Sequence, residues 1–117
     1  MAYLLLIHEP VDQRQERSPA QGEAVYARMV RFAQDLQQRG ILRAVESLSS
    51  QDNAAKVTVS NGQARVVGGP FAEAKEMVGV FFLLDCATRE QAVAIAAQCP
   101  AAEWATVEVR RVGPCYT

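Results

Sequence analysis

His8 is the only histidine in the chain. Imidazole titrates near neutrality, which makes His8 the first candidate for a general base. It closes the apolar run Tyr3-Leu4-Leu5-Leu6-Ile7, where a strand-end imidazole can equally be satisfied by a backbone carbonyl. Asp85 closes another apolar run that begins at Gly79, and a His8–Asp85 pair is conceivable if the two strands are neighbours. Glu73, Lys75 and Glu76 crowd the segment after Gly69-Pro70-Phe71. There Glu73 can act as a base, or Lys75 can bind an anionic ligand. The same segment has a structural reading: Gly-Pro sets a tight turn, Phe71 plugs the core and Glu73 caps backbone N–H groups. Glu46 and Ser47 can also line a cleft. The catalytic candidates are therefore His8, Asp85 and Glu73. The candidate ligand contacts are His8, Glu46, Pro70, Phe71, Glu73 and Lys75.

Other chemistries find less support. Cys86, Cys99 and Cys115 have no CxxC spacing, and no base or cationic setting marks any of them as a nucleophile. One histidine and scattered cysteines do not make a metal site, and nothing calls for a cofactor. Gly68-Gly69 lacks the Lys-Ser/Thr of a phosphate loop. Twelve basic side chains nearly balance thirteen acidic ones, which argues against a nucleic-acid partner. The apolar N-terminal run is too short to span a membrane and lacks the basic start of a signal peptide. Three reduced thiols and a cytoplasmic location are the expectation.

These side chains need a scaffold, and 117 residues suffice for one domain over residues 1–117. A first strand is expected over Ala2 to His8, then a polar loop. Ser18-Pro19 starts a helix as N-cap and first position. Val25, Met29, Phe32 and Leu36 give it one apolar face, and Gly40 ends it. Ile41 to Leu48 reads as a second strand. Lys56 to Val67, folded at Asn61-Gly62, spells a β-hairpin, because Asn-Gly tolerates positive φ at both turn positions. Phe71 to Met77 is a loop or short turn, and Gly79 to Asp85 is a strand. Thr88 with Gln91 opens a second helix that runs to Gln98. Trp104 to Val112 is the last strand. The order β-α-β, hairpin, β-α-β predicts an α+β, ferredoxin-like split βαβ fold with an inserted β-hairpin.

The first strand and the Gly79 to Asp85 strand are apolar on both faces, whereas two helices cover only one face of such a sheet. The other face is expected to pack against a second copy, giving a homodimer.

The run Gly69-Pro70-Phe71-Ala72-Glu73-Ala74-Lys75-Glu76, then Gly79 and Phe81 to Asp85, resembles DGPF-type members of the YCII-related family. Cys99-Pro100-Ala101-Ala102, Val107 to Arg110 and the opening Tyr3 to Ile7 extend the resemblance over nearly the whole chain. It implies a dimeric α+β barrel and an accessory or regulatory role. Gly68 stands where the family loop has Asp. The first helix lacks the histidine of the His–Asp pair proposed for acid–base chemistry in the wider family. The reading is a homodimer that binds a small ligand at the dimer cleft or acts as an accessory protein, leaning away from an enzyme. The alternative is an isomerase, lyase or hydrolase acting on a small organic, aromatic substrate.

Overall fold

The computed structural model describes residues 1–116. Its elements are β1 (Ala2–Pro10), α1 (Pro19–Gln38), β2 (Leu42–Ser47), β3 (Ala55–Ser60), β4 (Gln63–Gly68), β5 (Glu76–Asp85), α2 (Arg89–Gln98) and β6 (Thr106–Arg111). Short 3-10 turns lie at Arg14–Glu16, Gln51–Asn53 and Pro100–Glu103. The local signals in the sequence act as expected at both ends of α1. The Ser18 side chain accepts from the Gln21 N–H while the Gln21 side chain accepts from the Ser18 N–H, so two otherwise free donors are satisfied. Gly40 follows the helix with φ of 72°. At α2 the capping is half of that pattern: Thr88 accepts from the Gln91 N–H, but the Gln91 side chain accepts from Ala87 instead.

Three boundaries differ from the sequence expectation by more than one residue. β1 continues through Glu9 and Pro10, which pair with Met77 and Glu76, so β5 begins earlier as well. The mutual ladder extends both strands past the residues that propensity alone favours. Trp104 belongs to the turn before β6, and its N–H donates to the Ala101 carbonyl.

The four strands β2-β5-β1-β6 form one antiparallel sheet. Each βαβ unit is split by a strand of the other, which is the ferredoxin-like α+β arrangement. Tyr3, Leu5 and Ile7 of β1 and Phe82 and Leu84 of β5 meet Phe32 and Leu36 of α1 and Ile95 and Ala96 of α2 in one core. Leu4, Leu6, Phe81 and Leu83 pair across β1 and β5 on the other face and are only partly buried.

The hairpin β3–β4 stands apart as its own two-stranded sheet. Asn61 and Gly62 have φ of 52° and 76°, the left-handed values a tight hairpin requires. Register puts Ala55, Val57 and Val59 opposite Gly68, Val66 and Ala64, which makes one face apolar throughout. Val57, Val59 and Val66 are nevertheless 60%, 69% and 64% exposed. The molecule measures 47 × 42 × 18 Å, and its thinnest dimension holds only a sheet and one helix layer. Its radius of gyration is 16.1 Å, against about 13 Å for a compact domain of this size.

The cysteines fall into two environments. Cys86 and Cys99 are buried and Cys115 is exposed, and burial pushes the Cys86 and Cys99 thiols above the usual range. Since the thiolate is the reactive form, one thiol is expected to react with Ellman's reagent in the native protein and three after denaturation. Rapid reaction of two or more under native conditions would contradict the packing.

Candidate functional site

The helical spacing of Val25, Met29, Phe32 and Leu36 predicts a continuously packed face, but only Phe32 and Leu36 are buried. One side of α1, from Gly22 to Gln37, instead borders a groove of about 650 Å³, within the range of small-molecule sites. Ile7, Val80, Phe82, Val45 and Leu42 contribute to the sheet side. Val25, Met29, Val30 and Ala33 supply the helix side. Glu9, Arg14, Arg17 and Trp104 also line it and bring the charge.

Glu9 is the buried charged residue of this region, at 7% exposure. It continues the inward alternation of Tyr3, Leu5 and Ile7, so the strand carries its carboxylate under the helices. Arg14, held on the 3-10 turn, meets it with two bonds, Nε to Oε2 at 2.9 Å and NH2 to Oε1 at 2.8 Å. A paired guanidinium is what makes a buried carboxylate tolerable. Gly79 supplies the space. The register slips by one residue between Ile7 and His8, and a Cβ at Gly79 would collide with the Glu9 carboxylate and the Arg14 guanidinium.

Trp104 lies between two further cations. The Arg17 and Arg28 guanidinium carbons are 5.7 and 5.4 Å from its ring centre. Arg28 also donates two hydrogen bonds to the Glu103 carboxylate, whose pKa lies below the usual carboxylate range chiefly because of that contact. Gln13 ties the arrangement together: its Nε2 donates to the Trp104 carbonyl at 2.7 Å, and its Oε1 accepts from Arg17 at 3.1 Å.

The residues singled out from the sequence are spread over three places. His8 lies on the open sheet face with Leu4 and Leu6, and its Nε2 is 2.7 Å from Glu108 Oε1. It therefore meets a side-chain carboxylate rather than a backbone carbonyl. Glu108 accepts a second bond from Arg110 at 2.9 Å, and these contacts, His8 first, hold its carboxyl below the ordinary range. The conceivable His8–Asp85 pair does not form. β1 and β5 are antiparallel, so Asp85 pairs with Ala2 while His8 pairs with Val78 at the other end. Asp85 instead meets Arg43 at 3.2 Å and the N-terminal amine at 3.5 Å; Arg43 is the main cause of its lowered pKa.

The loop after β4 forms a small cluster with the hairpin. Gly69–Pro70 is a cis bond, and Gly69 donates to the Ala54 carbonyl at 2.8 Å. A Cβ at Gly69 would run into the Gln51 carbonyl, which accounts for glycine there. Phe71 is buried, but outside the main core: Lys56 Nζ sits 4.2 Å from its ring centre. Glu73 accepts from its own backbone N–H, the main cause of its lowered pKa, and meets Lys56 at 3.5 Å. Pro70, Phe71 and Glu73 line a shallower cavity of about 390 Å³. Lys75 touches neither cavity and contributes a carbonyl to Val11. Glu46 alone of the predicted contacts lines the larger groove.

Sequence reasoning missed Glu9, Arg14, Arg17, Met29, Gly79 and Trp104. An acid at an inward position of an apolar strand and a glycine in the interior of another were the available signals.

A four-stranded antiparallel sheet with two helices on one face and a groove under the first helix defines a small ferredoxin-like α+β protein. The YCII-related domain model matches residues 1–115, and the chain belongs to that family. No curated protein matches it. No helix among the described residues is long and apolar enough to cross a membrane.

Proposed function

We propose that this protein is a cytoplasmic homodimer that binds a small organic molecule, with the groove beneath α1 as the binding site. The observation that carries the reading is Met29 and Val25. Their helical spacing assigns them to the core, yet they stand half-buried over an apolar groove of about 650 Å³. The groove joins an apolar body to a few fixed polar groups, the usual composition of a small-molecule site. The GPFAE-x-KE run supports a DGPF-type assignment within the family and, with it, an accessory or regulatory role. Thermal shift against a set of small organic molecules tests this, since a ligand of the native state raises the melting temperature. Ala33→Trp, which fills the groove from the helix side, is expected to abolish the shift. A shift that survives this substitution places the site elsewhere.

The dimer reading rests on two uncovered apolar surfaces, the Leu4, Leu6, Phe81, Leu83 face and the apolar face of the hairpin. A second copy of the chain covers the sheet face by two-fold packing. At micromolar concentration, sedimentation should give twice the 12.8 kDa chain mass, and Leu6→Glu should give a folded monomer. A monomeric wild type would end this reading.

One observation favours acid–base catalysis as a second reading, namely the His8–Glu108 bond at 2.7 Å on that open face. A carboxylate that fixes an imidazole is a common device for a general base. This reading requires that His8→Gln abolish turnover of a substrate that still binds.

A further inference from the structure

We infer that the ligand of the groove is an organic anion, an apolar-bodied carboxylate whose head group is bound by Arg17. The inference rests on the groove being a small-molecule site and adds the class of molecule. The groove is apolar along α1 and the sheet, and its cationic groups are Arg14 and Arg17. Arg14 is neutralised by the two bonds to Glu9, and Arg28 beside Trp104 is neutralised by Glu103. Arg17 differs from both. Among the described residues its hydrogen-bond partner is the neutral Gln13 amide, and its other contact is the face of Trp104. Among the described residues no acid stands within ion-pair distance of it.

The acids nearby are accounted for. Glu9 is committed to Arg14. Glu46 lines the groove but is exposed and pairs with Phe81, whereas its neighbour Val45 pairs with Phe82 on the core side. Glu16, the acid just before Arg17, is exposed and makes no ion pair among the described residues, and the first turn of α1, which begins after Ser18, carries no acidic side chain. With Arg14 paired to Glu9 and Glu46 on the exposed side of β2, Arg17 is the cation of the groove that has no ion-pair partner among the described residues, and it lies next to an aromatic wall. A guanidinium is planar and offers several parallel donors, so the one bond it donates to Gln13 leaves a fork free for a carboxylate. Gln13 acts as a positioning residue, because its bonds to the Trp104 carbonyl and to Arg17 fix the guanidinium at the end of the groove. A ligand lying along Met29 and Phe82 then presents its anionic end to Arg17 and its body to the aliphatic lining.

The test uses a matched pair, phenylbutyrate and phenylbutanol, which share a body and differ in the charged head. Trp104 is the only tryptophan, so its fluorescence reports occupancy of the groove, with calorimetry as the second readout. The carboxylate is expected to bind about tenfold tighter than the alcohol, the size of one charge-assisted contact. Arg17→Gln is expected to remove that preference by weakening phenylbutyrate alone, and Arg17→Lys to keep part of it. Equal binding of the two compounds to the wild type would overturn the anion assignment while leaving the groove as a site. So would an Arg17→Gln variant that loses both equally. If neither compound binds, the groove reading itself fails, and the anion proposal falls with it.

Discussion

Phe82→Ala is expected to destabilise the protein by about 4 kcal/mol, the range for removing a buried phenylalanine. Phe82 is 1% exposed in the second strand of the sheet from the edge. It pairs with Leu5 on one side and Val45 on the other. Its ring meets Phe32 of α1 edge to face, with centroids 5.4 Å apart, an arrangement that adds to simple burial. The substitution thus removes one of the contacts that hold α1 to the sheet. Phe82 also lines the groove beneath α1, so its removal opens the core onto that space. A domain of this size has total stability on the order of 10 kcal/mol, and the loss should appear as a large fall in the urea midpoint with unchanged slope. Phe81, one residue earlier, faces the open side. If the proposed dimer forms, the cost of Phe81→Ala should depend on protein concentration, because a second copy would then cover it. A loss below about 1.5 kcal/mol for Phe82→Ala would contradict the assignment of the core.

The second large effect centres on Glu9. Removing Arg14 leaves a carboxylate with 9% side-chain exposure unpaired, and Arg14→Ala is expected to cost about 3 kcal/mol. Glu9→Ala should cost less, because the Arg14 side chain is 33% exposed and can turn to water. Gly79→Ala acts on the same pair from across the strands, since the added methyl occupies the position of the Glu9 carboxylate. It is expected to cost about as much as Arg14→Ala in the wild type and much less in a Glu9→Ala background. The coupling should exceed about 1 kcal/mol, as for residues in direct contact. Strict additivity in this double-mutant cycle would refute the geometry proposed for the bulge.

The contrast between these two regions shows what the chain reveals before it folds. Asn61-Gly62, Ser18-Pro19 and Gly40 each act through their own backbone, so their roles can be read locally. The doubly apolar β1 and β5 likewise announce a buried sheet with one face too many. The groove was not legible for the opposite reason. Val25 and Met29 have the same periodicity as Phe32 and Leu36, so the pattern does not distinguish the fully buried pair from the partly buried pair that lines the groove. His8 found Glu108 rather than Asp85 because strand direction, which no single residue encodes, places Asp85 at the far end of the sheet. Arg17 and Trp104 lie far apart in sequence and meet through Gln13. The Gly69-Pro70-Phe71 run, prominent in the sequence, shapes a smaller cavity under the hairpin rather than the groove.

Methyl NMR of the wild-type protein tests most directly whether the groove is the ligand site. Anilinonaphthalene sulfonate, an aromatic organic anion with a sulfonate in place of the carboxylate, is the probe. Titration is predicted to shift the methyl signals of Val25, Met29, Ala33, Leu42 and Val45 and leave those of Leu4, Leu6, Leu83 and Val57 in place. Shifts confined to the latter set, or none at all, would contradict that placement of the site.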